Sequence, residues 1–471
     1  MTLPLFTVLY GLVLAALFAY GVNGYLLLWL RRRYRAEEPA IPTEWPSVTV
    51  QIPVYNERDV APRVIAATGS LEYPGPLEIQ VLDDSVDDTT DRVAAALGKL
   101  SITNAHLRRA NRDGFKAGAL AEGLAQARGE LLLVLDADFV PPTDFLIRTV
   151  PLFSSPDVGC VQARWSHLNR DEGPLTRGQA LGIDVHFLVE KRARAAAGWP
   201  LAMNGSAGLW RKQAIISAGG WSADTLTEDL DLSYRAWLAG WRIVYADEVT
   251  CPAEVPVSMA ALKAQQRRWA RGSTETAKKL LGPIWRAKAP LVVKMQATLH
   301  LTHYLVHPLM LLSAALALPL GLLANEAAPL WIGLMTLAMA TGGPLAMALC
   351  AAKAAGLSRG RRITDTLIMM VLGVGLALST SVAVVSALSS HRAVFQRTPK
   401  GGAGSSYRAA SDRLGLAELA CGVGCGLLAG WLAARGLVTM TPFLALYAAS
   451  LSIVGAATLG DGQRLAAIGR G

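Results

Sequence analysis

Disulfides are the first thing this sequence cannot build. Its five cysteines show no framework spacing, and Cys160 and Cys251 stand alone in a globular stretch, which points to a reducing compartment or to simple burial. Cys421 and Cys425 lie inside an apolar run with Gly422, Gly426 and Gly430, and no histidine is near. That pattern reads as small-residue helix packing rather than a metal pair. Charge is also scarce. Only 17% of the 471 residues are charged and 52% are hydrophobic, too apolar for an ordinary soluble protein. The length allows a globular domain plus a membrane bundle. Much of the net charge of +9 sits in 31–35, 359–362 and 392–400, each beside an apolar run. That is the positive-inside pattern. Nucleic acid is not an expected partner, because these clusters lack interleaved aromatics. The N-terminus lacks a basic n-region, and its apolar stretch exceeds a signal-peptide core, so residues 1–30 are read as a retained membrane helix.

What is present is a run of strand and helix signals after that helix. Val48, Val50, Ile52 and Val54 alternate and lead into Tyr55-Asn56-Glu57. Leu77 to Leu82 predicts a second strand ending in Asp83-Asp84-Ser85, and Leu131 to Leu135 a third ending in Asp136-Ala137-Asp138, with a helix over Lys116 to Ala127 between them. Alternating strands and helices imply a mostly parallel sheet covered on both faces, with ligands beyond the carboxyl ends of its strands. The acidic groups fall at those ends. They would repel one another unless a cation sits between them, and Asp-x-Asp at a strand end offers hard oxygen ligands to a divalent ion. Lys116, flanked by Gly114 and Gly118, adds a cation near a helix start. His167 and His186 have no ligand-like spacing and are read as packing or hydrogen-bonding residues.

Two further stretches belong together. Thr227 is a candidate N-cap for a helix with Glu228 and Asp229 in its first turn, running through Tyr234 and Trp237 to Gly240. A carboxylate there suits a general base. Downstream, Gln265, Arg268 and Trp269 share one helical face, and a cation beside an indole suits a phosphate and a sugar ring. Asn204-Gly205-Ser206-Ala207-Gly208 is a small-residue loop that closes over a ligand or forms a tight turn.

Taken in order, Pro53-Val54-Tyr55-Asn56-Glu57, Asp83-Asp84-Ser85, Gly114-Phe115-Lys116-Ala117-Gly118, Asp136-Ala137-Asp138, Thr227-Glu228-Asp229 and Gln265-x-x-Arg268-Trp269 resemble the motifs of membrane-embedded family 2 glycosyltransferases. In outline the chain resembles cellulose and hyaluronan synthases. It is most similar to the cellulose synthase-like mannan and glucomannan synthases, through Val161-Gln162-Ala163-Arg164-Trp165 and Asn204 to Arg211. The resemblance spans about 3–460. It implies a GT-A-like α/β nucleotide-sugar domain with a mostly parallel sheet, plus an α-helical transmembrane bundle and amphipathic interface helices. The implied activity is inverting, processive transfer of a hexose from GDP-mannose or UDP-glucose to a growing β-glycan, with translocation across the membrane. Single transfer to a lipid acceptor uses the same residues and is the alternative. A transport scaffold that only binds nucleotide has no need of Asp229.

By the same resemblance, Asp83, Asp84, Lys116, Asp136, Arg268 and Glu57 contact the nucleotide sugar, and Asp136 and Asp138 hold Mg²⁺ or Mn²⁺. Asp229 is the base with Glu228 beside it, and Trp269, Gln265 and Asn204 meet the acceptor. Phe395, Thr398 and Lys400 belong to a cytosolic gating loop, with Arg397 where the family usually has valine. The expected organisation is a glycosyltransferase domain over 31–257, amphipathic interface helices over 258–290 and two spans over 291–352. A cytosolic interface helix and loop over 353–412, two spans over 413–460 and a tail over 461–471 complete it. As a full crossing, 363–390 would put basic residues outside, so it is read as lying in or re-entering the interface. The expected location is a bacterial inner membrane, with membrane lipids around the bundle and the catalytic domain in the cytoplasm.

Overall fold

The computed structural model describes residues 2–323, 330–389, 412 and 414–468. Its centre is a seven-stranded sheet: β1 (Val48–Val54), β2 (Leu77–Asp83), β3 (Thr103–Arg108), β4 (Leu131–Val134), β5 (Val158–His167), β6 (Gly208–Arg211) and β7 (Arg242–Ala253). The order is β3-β2-β1-β4-β6-β5-β7. Pairing is parallel except where β6 runs against β4 and β5, so the sheet is mostly parallel. Alternation in β1 has the predicted effect. Val50, Ile52 and Val54 join one core with Ile79 and Leu133, while Leu132, Val134 and Leu120 join the core on the other face. On that second face Thr49 donates to Glu78 at 2.8 Å, and the buried Gln51 and Gln80 amides face each other at 3.0 Å. Strand β3 escaped the sequence reading because it is a half-exposed edge with no apolar alternation.

Among the described residues, five helices are long and apolar enough to cross a membrane: Leu5–Arg33, Leu291–Leu323, Leu330–Ala354, Gly415–Ala434 and Val438–Asp461. The last two pack tightly, since a methyl at Gly422 would lie 2.7 Å from the Ser452 backbone nitrogen. The described part of this segment, 363–389, is broken. Helices Arg359–Gly375 and Ala377–Leu388 meet at a 45° bend. The second half lies along the amphipathic helix Met259–Arg286, where Arg267 donates to Ser379 at 3.2 Å and Lys278 to the Ala387 carbonyl at 2.9 Å. Phe395, Thr398 and Lys400 of the expected gating loop lie outside the described residues.

Candidate active site

The three acidic strand ends meet in one cleft, and each acquires a partner on the way. Asn56 follows β1 with φ +54°, a left-handed geometry that asparagine tolerates better than most side chains. Its amide donates to Ser85 Oγ and its side-chain oxygen accepts from Val86 N, both at 2.9 Å, which ties the β1 end to the β2 end. At β2, Asp83 turns inward. It is fully buried, 2.9 Å from His106 Nε2, and accepts from Ser85 N at 2.9 Å. Burial works against its ionisation, but these hydrogen bonds hold the carboxyl down to about 2. Asp83 therefore does not line the cleft, which corrects its expected contact with the nucleotide: its carboxylate is used to fix the turn. Asp84 does line the cleft, and Arg109 Nε donates to it at 2.9 Å.

Lys116 occupies the centre. Its Nζ lies 2.5 Å from Asp136 Oδ1, 2.8 Å from the Gly205 carbonyl and 3.7 Å from Glu228. Burial alone would lower this ammonium, but Asp136 and then Glu228 outweigh it and raise it above the usual lysine range. Gly205 has φ +75°, and a methyl there would come within 3.0 Å of Asp229 Oδ2. Only glycine lets the loop pass between the lysine and the carboxylate. Repulsion among the acidic groups is thus met first by Lys116 and Arg109, cations of the chain itself.

Asp229 opens the helix Glu228–Leu238 and accepts from Leu230 N at 2.8 Å. Burial pushes its carboxyl up to about 7, with the Glu228 charge adding to the rise and Lys116 opposing it. Thr227 precedes this helix but its side chain does not cap it. The hydroxyl lies 3.2 Å from Thr276 Oγ1 instead, on the long amphipathic helix. That helix presents Gln265, Arg268 and Trp269 to the same cleft as Asp229. The cleft, about 180 Å³, is also lined by Glu57, Lys116, Asp136, Asp138 and Asn204.

Asp136 and Asp138 leave β4 two residues apart, and both face the cleft. Asp138 is buried and accepts from Glu254 N at 3.2 Å, which orients its carboxylate. Two hard-oxygen carboxylates on one turn fit a divalent cation. No group of three His, Cys, Asp or Glu that could hold a metal occurs among the described residues, so such an ion would complete its shell from diphosphate and water.

Arg109 was not singled out by the sequence, while Gln162, His167 and His186 serve the site as hydrogen-bonding partners. Arg109 clamps Asp84 and also donates to the Asp113 and Phe115 carbonyls. Gln162 accepts from Asn204 N at 2.8 Å and donates to Ser206 O at 3.1 Å, which shapes the 204–207 loop. His167 pairs with Asp184 at 3.2 Å, and His186 lies 3.0 Å from Glu190 and within reach of Asn204.

With this geometry in place, comparison with known proteins defines the class. Residues 46–272 match the family described as glycosyltransferase like family 2. Over these residues the chain matches a family 2 glycosyltransferase domain, and its fold is GT-A-like. More particularly, it is 39% identical over 278 residues to glucomannan 4-beta-mannosyltransferase 2 of Arabidopsis thaliana, covering 56% of this chain and 52% of that one. It is 38% identical over 295 residues to glucomannan 4-beta-mannosyltransferase 1 of Oryza sativa, covering 59% and 56%. The chain spans about half the length of these relatives. Among solved structures it resembles a mannosyltransferase from Pyrobaculum calidifontis in complex with GDP-Man and Mn²⁺, with TM-score 0.55, 22% identity and coverage of 80% of this chain and 99% of that one. The curated relatives are plant enzymes, so they lend no support to the expected bacterial membrane.

Proposed function

We propose that this protein is an inverting, processive mannosyltransferase of the membrane, extending a β-1,4-linked glycan from GDP-mannose and passing it across the bilayer. The observation that carries the reading is the convergence of Lys116, Asp136, Asp138, Asp229 and the Gln265/Arg268/Trp269 face on one cleft. The relatives named as glucomannan mannosyltransferases support mannose as the sugar, and the solved fold neighbour binds GDP-Man. UDP-glucose ranks second as donor. The catalytic domain is assigned to the cytoplasmic side with the arginine-rich ends of the spans.

In the mechanism, Lys116 and Arg268 grip the diphosphate while Asp136 and Asp138 are the residues that would hold Mg²⁺ or Mn²⁺. Such an ion, when bound, neutralises charge developing on the leaving group. Lys116 shares its proton-rich head between Asp136 and the Gly205 carbonyl, so it is already aimed at the donor's place. Trp269 stacks on the terminal sugar of the acceptor and orients its hydroxyl. Asp229 takes the proton of that hydroxyl as its oxygen attacks the anomeric carbon from the face opposite the diphosphate. The carbon–phosphate oxygen bond then breaks with its electron pair, and GDP leaves. A base near 7 is matched to that task at neutral pH. Glu228 raises the basicity of its neighbour and steadies Lys116.

The test is incubation of the purified chain in lipid with labelled GDP-mannose or UDP-glucose, followed by product sizing. Polymer from GDP-mannose is expected. A single sugar on extractable lipid, at every time and donor concentration, would overturn the reading.

A further inference from the structure

The amphipathic helix Met259–Arg286 works with two faces. At about 3.6 residues per turn, Lys263 and Arg267 point almost opposite to Gln265, Arg268 and Trp269, the three that line the cleft. The face away from the cleft carries charge into the bundle. Lys263 is fully buried, and its Nζ lies 2.8 Å from Glu418 and 3.1 Å from Asp412. Arg267 donates to the same Asp412 at 2.7 Å and also reaches Ser379. Glu418 is fully buried in the first turn of the span Gly415–Ala434, and Leu414 N donates to Asp412 at 3.0 Å, which holds that carboxylate at the foot of the same span. Thr458 of the last helix stands 3.3 Å from Lys263, and one turn earlier Met259 N donates to Asp461 at 2.6 Å. Two cations of one helix are thus matched by two carboxylates at the foot of the last two spans.

Such a cluster adds little net stability, because taking the charges out of water offsets most of their attraction. Charge at the end of a membrane span is costly and marks a task. What this cluster supplies is direction. The neighbouring contacts of the helix, Met259 and Leu262 against Leu372, Leu376 and Val454, are apolar and do not oppose a small rotation. Lys263 and Arg267 do oppose it, since turning the helix breaks both ion pairs and leaves buried charges alone. The same turn sweeps Arg268 and Trp269, on the far face, away from Asp229. A misplacement of about 1 Å can cost about a hundredfold in rate.

We propose that Lys263 and Arg267, held by Glu418 and Asp412, are positioning residues that set the rotation of the amphipathic helix, so that Trp269 presents the acceptor to Asp229. The last two spans thereby take part in sugar transfer. The inference rests on the glycan-synthase reading and adds the groups that aim its acceptor face.

The experiment uses the full-length protein in nanodiscs with labelled GDP-mannose and β-1,4-mannotetraose. Two products are scored: mannose joined to the acceptor, and free mannose formed when water replaces the acceptor hydroxyl as nucleophile and GDP leaves. Lys263→Met/Glu418→Gln removes one charge of each sign and leaves Arg267 with Asp412, so thermal unfolding should stay near the wild type. Its ratio of transfer to hydrolysis should fall about tenfold, because a helix free to turn misplaces the acceptor and not the water. A purely structural role would lower both products alike and leave the ratio unchanged. Glu418→Gln alone is the conservative control: its side-chain oxygen still accepts from Lys263, and it should keep most of the wild-type ratio. Arg267→Gln, at a partly exposed position, is the second variant if the double variant fails to fold, and it should also lower the ratio. A wild-type ratio in the folded double variant, or in Arg267→Gln where the double variant does not fold, overturns the inference. Label found only in extractable lipid overturns the underlying glycan-synthase reading instead, and the same ratio scored on that lipid still tests how the helix is set.

Discussion

Gly272 lies against Thr227 so closely that a methyl at the glycine would fall 2.5 Å from Thr227 Cγ2 and 2.8 Å from its backbone nitrogen. This contact, with Leu226 N donating to Glu275 at 3.0 Å, seats the amphipathic helix on the turn that presents Asp229. Gly272→Ala should overpack the junction, at about 1–3 kcal/mol. A lowered Tm together with a loss of turnover larger than the loss of donor affinity would bear this out. Wild-type kcat in the variant would detach the helix seat from catalysis.

Asp229→Asn keeps the side-chain shape but cannot accept the acceptor's proton. Turnover should drop about a hundredfold or more, while GDP binding persists because Lys116 and Arg268 are untouched. The measurement is single-turnover transfer beside GDP affinity.

The pH profile offers a sharper check. Asp229 must be ionised to act, and its carboxyl titrates at about 7, so kcat should rise with pH through that value and fall below it. Glu228 contributes to the raised value, so Glu228→Gln should move the midpoint to lower pH. An unmoved midpoint in that variant would assign the titration to another group.

EDTA should abolish transfer, with Mg²⁺ or Mn²⁺ restoring it, and Asp138→Asn should be folded but inactive. Asparagine can still accept from Glu254 N, so thermal unfolding should change little. Full activity in EDTA would remove the cation from the reaction.

Sidedness is testable at Ser389, which follows the bent pair. If 359–388 does not cross, a cysteine at this position should react with an impermeant maleimide from the catalytic-domain side only. Labelling from the opposite side would make the pair a sixth span.

The readable parts of this fold were local. Alternation in Val48–Val54, the acidic strand ends and the i, i+3, i+4 face of Gln265, Arg268 and Trp269 are written within a few residues of chain; the alternation builds the core, and Glu57, Asp84, Asp136, Asp138 and the helical face reach the cleft, whereas Asp83 turns inward. Its inward turn depends on His106, twenty-three residues away on an edge strand that shows no periodicity. Arg109 meets Asp84 across 25 residues and Gln162 meets Asn204 across 42, and spacing alone cannot reveal such partners.

The ion pairs at the bottom of the cleft have a consequence for how salt should act. Lys116 and Arg109 already neutralise Asp136 and Asp84 before any ligand arrives. In the proposed reaction, a diphosphate and its divalent partner enter as a nearly neutral couple, and Lys116 trades one carboxylate oxygen for phosphate. Binding is then an exchange of counterions at contact distance, not a capture by a distant field. Added salt screens charges beyond about 10 Å at 0.1 M, so donor affinity should be nearly indifferent to ionic strength.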